Sequence, residues 1–283
     1  MEFKQAIQEF LKYLKQTNKS AETIRIYKGY LTSFSNYLAI RYNRAIGVDE
    51  VGADDFEKYL FVPPNDKITQ VTRQTITIAF KSFYSFAFLK GYCKSNMGKK
   101  VAQIKAKPKE RTFITEEEML KIVAKIETPM DKVFIQTLFY AGLRIQEAIN
   151  LTIDDISLQK GYINISKNKS RYDRKVPISV KLGYILEEHL QNTDSDKVFK
   201  FRYSRPNDIK AYVNTILKEA THTAGLNLEI TSHICRHSFS SILIQKGVDV
   251  VRVQKLLGHQ NLRTTSIYLH TNFKALKEAI ATL

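Results

Sequence analysis

The sequence predicts a mainly α-helical protein of two domains, with one small β-sheet in the second domain. Three observations support this fold class. The chain has 283 residues, more than a single domain usually contains. Apolar residues recur at three- and four-residue spacing along most of it, whereas only one pair of short segments has the pattern of β-strands. A hydrophobic content of 43%, with 16 phenylalanines and 15 tyrosines, is sufficient to fill two cores.

The N-terminal part of the chain is predicted to form a small four-helix domain. Ser20 is a typical helix cap before the second apolar stripe, and the fourth helix should end near Gly91. A short third helix is expected from about Asp54, followed by a break in the proline-containing residues 62–66. The three long apolar stripes cover residues 3–14, 24–38 and 76–87.

A basic stretch with little apolar periodicity, residues 99–111, predicts an extended linker. After it, Thr115 and Glu118 have the spacing of a capping box, which predicts the first helix of a second domain. We therefore expect an N-terminal domain at residues 1–105, a linker at 106–112 and a C-terminal domain at 113–283.

One β-hairpin is expected within the second domain. Residues 162–165 and 175–178 have the composition of strands, and the polar sequence KNKSRYD separates them as a turn. Helical periodicity resumes from Leu182 and continues to a last helix beginning near Asn272. The second domain is therefore predicted to be mainly helical.

The charge of the chain favours a polyanionic partner. Its formal net charge is +16 and its pI about 9.6, which suits nucleic acid or an anionic membrane surface. The longest apolar stretch, residues 133–143, contains Gln136 and is too short to span a bilayer. Cys93 and Cys235 lack the spacing of a zinc module and suggest a reducing compartment. These features predict a cytoplasmic, nucleic-acid-binding protein without a structural metal.

Two groups of polar residues in the second domain could carry chemistry, although each has an ordinary structural interpretation. Arg144 follows a helix-breaking glycine and could be a surface cation paired with Glu147 at i,i+3 spacing. His233 and His237 have the i,i+4 spacing of metal ligands. Arg236 would place positive charge beside such a metal, and no nearby cluster supplies the remaining ligands, so a metal site is not favoured.

Two further features lie near the carboxyl end of the chain. The sequence LLGH at 256–259 ends in His259, and Tyr268 follows nine positions later. Most tyrosines pack the ring in a core and expose the hydroxyl to solvent, so nothing intrinsic distinguishes Tyr268 from the other tyrosines among the fifteen. Its significance depends on the residues that accompany it.

Together these residues resemble the catalytic signature of the tyrosine recombinase, or phage integrase, family. The resemblance consists of Arg144, the HxxR sequence His233 to Arg236, the LGH sequence ending in His259, and Tyr268, in that order and spacing. It is strongest to the Xer subgroup and covers nearly the whole chain. It implies a helical core-binding domain that contacts DNA, followed by a catalytic domain of the DNA breaking-rejoining fold.

The resemblance also implies a reaction, in which DNA strands are cleaved and rejoined through a 3′-phosphotyrosine. Tyr268 would be the nucleophile, and because a phenol is mostly protonated at neutral pH, cations must favour its ionised form. Arg144 and Arg236 could do so, and their planar guanidiniums could clamp the phosphate oxygens. No metal or nucleotide cofactor is implied, and the sequence contains no Walker-type phosphate loop.

The remaining roles are assigned to imidazoles and a lysine. His233 and His259 would contact the phosphate or transfer protons, which suits groups that titrate near neutrality. In the family a lysine of the β-hairpin protonates the leaving 5′-oxygen. Lys167 is our choice here, and Lys169 stays open because the turn differs in length from the family's commonest form.

The partner implied by the resemblance is double-stranded DNA with specific recombination sites. A terminal amphipathic helix around residues 273–280 would dock on a neighbouring protomer and give a tetramer on paired sites, or would pack in cis. Two alternatives are a type IB topoisomerase and a catalytically silent DNA-binding accessory protein. The resemblance leaves open whether the role is chromosome dimer resolution, integration and excision of a mobile element, or inversion. A DNA substrate predicts a cytoplasmic, nucleoid-associated protein.

Overall fold

The computed structural model describes residues 1–61, 65–106, 112–166 and 173–258. It divides into two compact units, Met1–Lys109 and Glu110–Leu283. Most of the linker expected at residues 106–112 lies outside the described residues, so its extended conformation stays a prediction. No helix in the described ranges is both long enough and apolar enough to cross a bilayer.

Within its described residues, the first unit contains the four predicted α-helices, one short additional α-helix and two 3-10 helices. The α-helices are α1 Phe3–Gln16, α2 Ala21–Tyr42, α3 Ala53–Phe61, α4 Gln70–Leu89 and α5 Met97–Lys100. The Ser20 side chain accepts a hydrogen bond from the Thr23 amide, which confirms the predicted cap of α2. Phe34 packs edge-on against both Phe56 and Phe80, whose ring centroids are 3.8 Å apart. The mainly helical fold class is therefore confirmed for this unit.

The basic stretch after α4 begins as folded structure, and the prediction of an extended linker from residue 99 was wrong at its start. Lys99 and Lys100 end α5, and Val101 is 4% exposed in the core of the first unit. Gly98 explains the close packing, because a Cβ there would lie 2.8 Å from the Lys81 Cα on α4. This contact joins residues that are distant in the sequence, so no periodic pattern in the sequence predicts it.

The second unit consists of seven α-helices, one 3-10 helix and three short strands within the described residues. The α-helices are α6 Glu116–Ala124, α7 Pro129–Ala141, α8 Ile145–Ile149, α9 Val180–Gln191, α10 Pro206–Thr223, α11 Ser232–Gln245 and α12 Val250–Leu257. The Thr115 and Glu118 side chains form the predicted capping box of α6. The helix expected near Asn272 lies outside the described residues.

The predicted hairpin is present and belongs to a three-stranded antiparallel sheet. Its strands are β1 Ile156–Ser157, β2 Tyr162–Ile165 and β3 Arg174–Pro177, in the order β1-β2-β3. In the hairpin Ile163 pairs with Val176 and Ile165 with Arg174. Strand β1 was not predicted, since two residues are too few to show an alternating pattern.

Helix α11 packs against α7 and buries polar side chains as well as apolar ones. Ser238 on α11 is fully buried, and its hydroxyl oxygen accepts a hydrogen bond of 2.9 Å from the Ile114 amide. The same hydroxyl donates to the Ile234 carbonyl one turn earlier. A buried helix that satisfies its polar groups in this way is a rigid support for the residues it presents.

Candidate active site

Three of the six predicted site residues lie within the described structure, namely Arg144, His233 and Arg236. The other three, Lys167, His259 and Tyr268, lie outside the described residues, as does the alternative lysine Lys169.

Arg236 is a buried guanidinium that joins the ends of two helices. Arg236 lies on the buried face of α11 and is 4% exposed. Nη1 donates to the Gly142 carbonyl at 2.6 Å, and Nη2 donates to the Leu257 carbonyl at 2.6 Å. These carbonyls belong to the ends of α7 and α12, so one planar side chain fixes both ends.

Gly142 provides the backbone shape that this contact requires. It ends α7 with φ of +60°, in the left-handed region that favours glycine. A Cβ at this position would lie 2.3 Å from Cδ1 of Phe239, a residue of α11. Only glycine therefore allows α7 to end against α11 with its carbonyl directed at Arg236.

Arg144 lies at the beginning of α8 and interacts with both a carboxylate and a helix end. Its amide and its Nη1 each donate to Glu147 at 2.8 Å, and its Nη2 donates to the Gly258 carbonyl at 3.1 Å. The ordinary interpretation was correct that Arg144 pairs with Glu147. The pair is not a surface pair, however, because the Glu147 side chain is only 2% exposed, whereas that of Arg144 is 43% exposed.

Glu147 is the carboxylate around which three arginines assemble. Arg174 binds it through a planar two-bond contact, with Nη1 2.9 Å from Oε1 and Nη2 2.7 Å from Oε2. Nη1 of Arg236 lies 3.7 Å from Oε2. Burial alone would raise the pKa of Glu147, but the hydrogen bonds and charge of Arg174, together with the hydrogen bonds from Arg144, outweigh it and lower the pKa to about 2.

The end of α12 receives all three arginines on consecutive carbonyls. Arg174 donates through Nε to Leu256 at 2.8 Å, Arg236 donates to Leu257, and Arg144 donates to Gly258. The carboxyl end of a helix carries partial negative charge, which stabilises nearby cations. Gly258 ends this helix with φ of +63°, in the left-handed region, which explains why the LLGH sequence has a glycine at this position. We call Arg144, Arg174, Arg236 and Glu147 the arginine cluster.

The other polar residues of α11 differ in accessibility. His233 is exposed on the first turn, one turn before the buried Arg236, whereas His237 is 6% exposed. Cys235 is fully buried, and this burial raises the pKa of its thiol to about 12. A buried, protonated thiol is a packing residue rather than a redox-sensitive group. Of these three side chains, His233 is therefore the one placed to meet a ligand.

Sequence reasoning missed Arg174, and it gave Glu147 no role beyond a surface pair with Arg144 and a place in the GLRxxE sequence that resembles the family. A carboxylate three residues after Arg144, at the spacing that allows a pair within one helical turn, was an available signal for Glu147. For Arg174 there was none, because it is one of several cations in and directly after the hairpin turn. The arrangement as a whole can bind an oxyanion. The guanidiniums of Arg174 and Arg236 are buried and held by hydrogen bonds, and that of Arg144 is partly exposed.

The pKa of Glu147 leads to a prediction about acid stability. Because the folded value is about 2 and the ordinary value 4.5, its stabilising contribution is complete above pH 4.5 and is lost as the pH falls towards 2. This contribution is about 3 kcal/mol. Between pH 6 and pH 3, we expect the free energy of unfolding to fall about 2 kcal/mol more in the wild type than in Glu147→Gln. Urea titrations at both pH values measure the difference.

The matched control for this measurement is Glu187→Gln, which removes the same charge from an exposed position of α9. It should retain the acid dependence of the wild type. An equal pH dependence in the wild type and in Glu147→Gln would show that the folded protein does not stabilise the Glu147 carboxylate.

Comparison with known proteins supports one family over almost the entire chain. The profile of the phage integrase family matches residues 112–275, and that of the phage integrase N-terminal SAM-like domain matches residues 7–91. The tyrosine recombinase of Thermosipho africanus is 30% identical over 96% of this chain and 98% of its own length. Tyrosine recombinase XerA of Pyrococcus horikoshii is 32% identical over 97% of this chain and 92% of its own.

Solved structures share the fold at lower sequence identity. A lambda integrase tetramer bound to a Holliday junction has a TM-score of 0.78 at 16% identity, over 95% of this chain and 77% of that one. The Tn1549 transposon integrase in complex with circular intermediate DNA also has a TM-score of 0.78, at 15% identity, over 98% and 99%. XerH bound to its difH substrate has a TM-score of 0.70 at 24% identity, over 97% and 83%. At these identities the likeness concerns the fold alone.

Proposed function

The chain belongs to the phage integrase family, and on this basis we propose that it is a Xer-like site-specific tyrosine recombinase. It cleaves and rejoins strands of double-stranded DNA. The observation that carries the proposal is the arginine cluster, in which the two signature arginines, Arg144 and Arg236, come from distant parts of the sequence and meet at Glu147 and at the end of α12. A cluster of this kind is suited to holding a phosphate at a fixed position.

Arg144 and Arg236 act on the scissile phosphate in this proposal. Charge on its non-bridging oxygens is redistributed as the pentacovalent transition state forms, and guanidiniums that are already oriented stabilise it without reorganisation. Arg236 is oriented by two carbonyls, and Arg144 has the exposed surface needed to reach a phosphate. His233, which is exposed on α11, would donate a hydrogen bond to the same group or transfer a proton.

Tyr268, His259 and Lys167 complete the proposed reaction, on the strength of the sequence pattern. The Tyr268 oxygen attacks phosphorus and forms a 3′-phosphotyrosine while the bond to the 5′-oxygen breaks. Lys167, or Lys169, protonates that oxygen, and His259 contacts the phosphate. In the second step a 5′-hydroxyl attacks the phosphotyrosine, the DNA bond reforms and the phenol is released. The energy of the phosphodiester is conserved throughout, so the reaction requires no nucleotide.

A tetramer on paired sites is the proposed active assembly. Support comes from the lambda integrase structure, whose neighbouring protomers form a tetramer on a Holliday junction. Residues 273–280 would link the protomers of this chain through their apolar face. Because the substrate is DNA, we place the activity at the nucleoid, in the cytoplasm.

The proposal is tested by trapping the covalent intermediate. DNA sequences bound by the protein are selected, and a duplex with such a site is nicked beside the expected cleavage position so that the released fragment diffuses away. We expect a protein–DNA adduct that survives denaturation, with the nucleotide attached to Tyr268 in a peptide map. A stable protein–DNA complex that gives no adduct would support the silent accessory protein instead.

A second assay separates recombination from topoisomerase activity. A supercoiled plasmid without a selected site should stay supercoiled, because a recombinase needs paired specific sites. A plasmid with two selected sites should yield recombinant circles. Rapid relaxation of both plasmids without recombinant products would favour the type IB topoisomerase.

A further inference from the structure

Arg174 is a buried residue that the family signature, as matched in this sequence, does not include. It begins β3, directly after the hairpin turn, and its side chain is 7% exposed. Each of its three guanidinium nitrogens donates to a protein oxygen, two on Glu147 and one on Leu256. Arg174 therefore faces the interior of the protein, and its effect on a substrate must act through other residues.

The charges of the cluster suggest what that effect is. Three guanidiniums surround a single described carboxylate, which leaves two positive charges, as many as the arginines assigned to the phosphate. Arg174 engages both Glu147 oxygens, whereas Arg144 reaches one of them through its side chain. Without Arg174, the Glu147 charge would be compensated by Arg144 and Arg236 alone. Their charge would then be partly neutralised before DNA binds.

Arg174 also fixes the helix end against which the other two arginines lie. Its Nε holds the Leu256 carbonyl, next to the carbonyls that accept from Arg236 and Arg144. A Cβ on Gly258 would lie 3.3 Å from Cδ of Arg174, so the two residues are closely packed. The same guanidinium thus sets both the charge on Glu147 and the position of the α12 end.

We propose that Arg174 is a positioning residue of the recombinase, which neutralises Glu147 and anchors the end of α12 so that Arg144 and Arg236 remain oriented and charged for the scissile phosphate. This inference rests on the proposed function. It predicts a defect in the chemical step rather than in DNA binding, because Arg174 is buried and leaves the DNA-binding surface unchanged.

The first test compares Arg174→Gln with Arg205→Gln on the nicked duplex that carries a selected site. Arg205 is the matched control, because it pairs with Asp208 at 2.8 Å but its side chain is 83% exposed. We expect Arg174→Gln to lower the single-turnover rate of adduct formation about 10- to 100-fold, the usual effect of losing a residue that orients reacting groups. The Kd for DNA should change less than about threefold, and Arg205→Gln should react as the wild type does.

The second test uses a duplex whose scissile phosphate is replaced by a methylphosphonate. This group is neutral, so its reaction depends less on the positive charges of Arg144 and Arg236. The defect of Arg174→Gln relative to the wild type should be at least about fivefold smaller on this substrate than on the phosphate. A merely structural role would give the same defect on both substrates, and that result would overturn the inference.

Two further variants distinguish loss of the positioning role from misfolding of Arg174→Gln. Arg174→Lys retains a charge but loses the planar fork, so it should react at a rate between those of Arg174→Gln and the wild type. In Glu147→Gln/Arg174→Gln no buried carboxylate remains for Arg144 and Arg236 to neutralise, so this variant should melt above Arg174→Gln and form adduct no more slowly. Additive losses in the double variant would count against coupling through Glu147.

The outcomes also separate this inference from the function on which it rests. A wild type that forms no adduct on any selected duplex would overturn both. A wild type that reacts, beside an Arg174→Gln protein that reacts within threefold of it, would overturn the positioning role alone.

Discussion

Tyr268→Phe is expected to eliminate the covalent protein–DNA adduct while leaving DNA binding intact. Phenylalanine retains the ring but lacks the oxygen that forms the ester with phosphorus, so no alternative geometry can restore the reaction. Removal of an enzymatic nucleophile lowers rates by about 10⁴-fold or more. Binding should persist, because it depends on cations that neutralise the DNA backbone. Denaturing gels measure the adduct, and a mobility-shift titration measures the Kd.

Tyr184→Phe is the matched control for this substitution. Tyr184 is 69% exposed on α9 of the same unit, so the variant removes one phenolic oxygen from a surface position. It should form adduct at the wild-type rate. A Tyr268→Phe protein that still exchanged strands would require another nucleophile and would refute the proposed mechanism.

Arg236→Lys should lower the rate of adduct formation about 10²- to 10³-fold, although the charge is retained. The guanidinium bridges the Gly142 and Leu257 carbonyls at 2.6 Å each, and it lies beside Glu147. A lysine ammonium is a compact point charge that lacks this planar fork, so it cannot hold both helix ends and orient a phosphate as well. Single-turnover kinetics on the nicked duplex measure the rate, and thermal melting measures the accompanying loss of stability.

The control for this experiment is Arg205→Lys, which makes the same exchange in an exposed ion pair. It should leave both the rate and the melting temperature close to those of the wild type. If Arg236→Lys reacted within about threefold of the wild type, the fork geometry would be irrelevant and charge alone would account for the role of Arg236.

Most helices could be predicted from the sequence because their signals are local. The cap at Ser20 and the capping box at Thr115 involve atoms within three residues of each other, and both are present. The features that were missed depend on distant contacts. Strand β1 is defined by its pairing with β2, and α5 is packed on α4 through Gly98.

The candidate site shows the same division between local and distant information. The residues Arg144, His233 and Arg236 could be proposed because their types and spacing match a family pattern. The geometry that joins them could not be predicted from the sequence. Arg236 contacts the Gly142 carbonyl 94 positions away, and Arg174 contacts the Leu256 carbonyl 82 positions away. The role of Glu147 depends on its burial among three arginines, and burial is a property of the fold rather than of the neighbouring sequence.

The three consecutive carbonyls at the end of α12 make the site sensitive to helix length. Each added or deleted residue rotates the end of an α-helix by about 100° and shifts it by about 1.5 Å. Such a change would redirect the acceptors for Arg174, Arg236 and Arg144 simultaneously, whereas most substitutions within α12 would leave them in place. Insertions and deletions in this helix should therefore be tolerated far less than point changes on its exposed face.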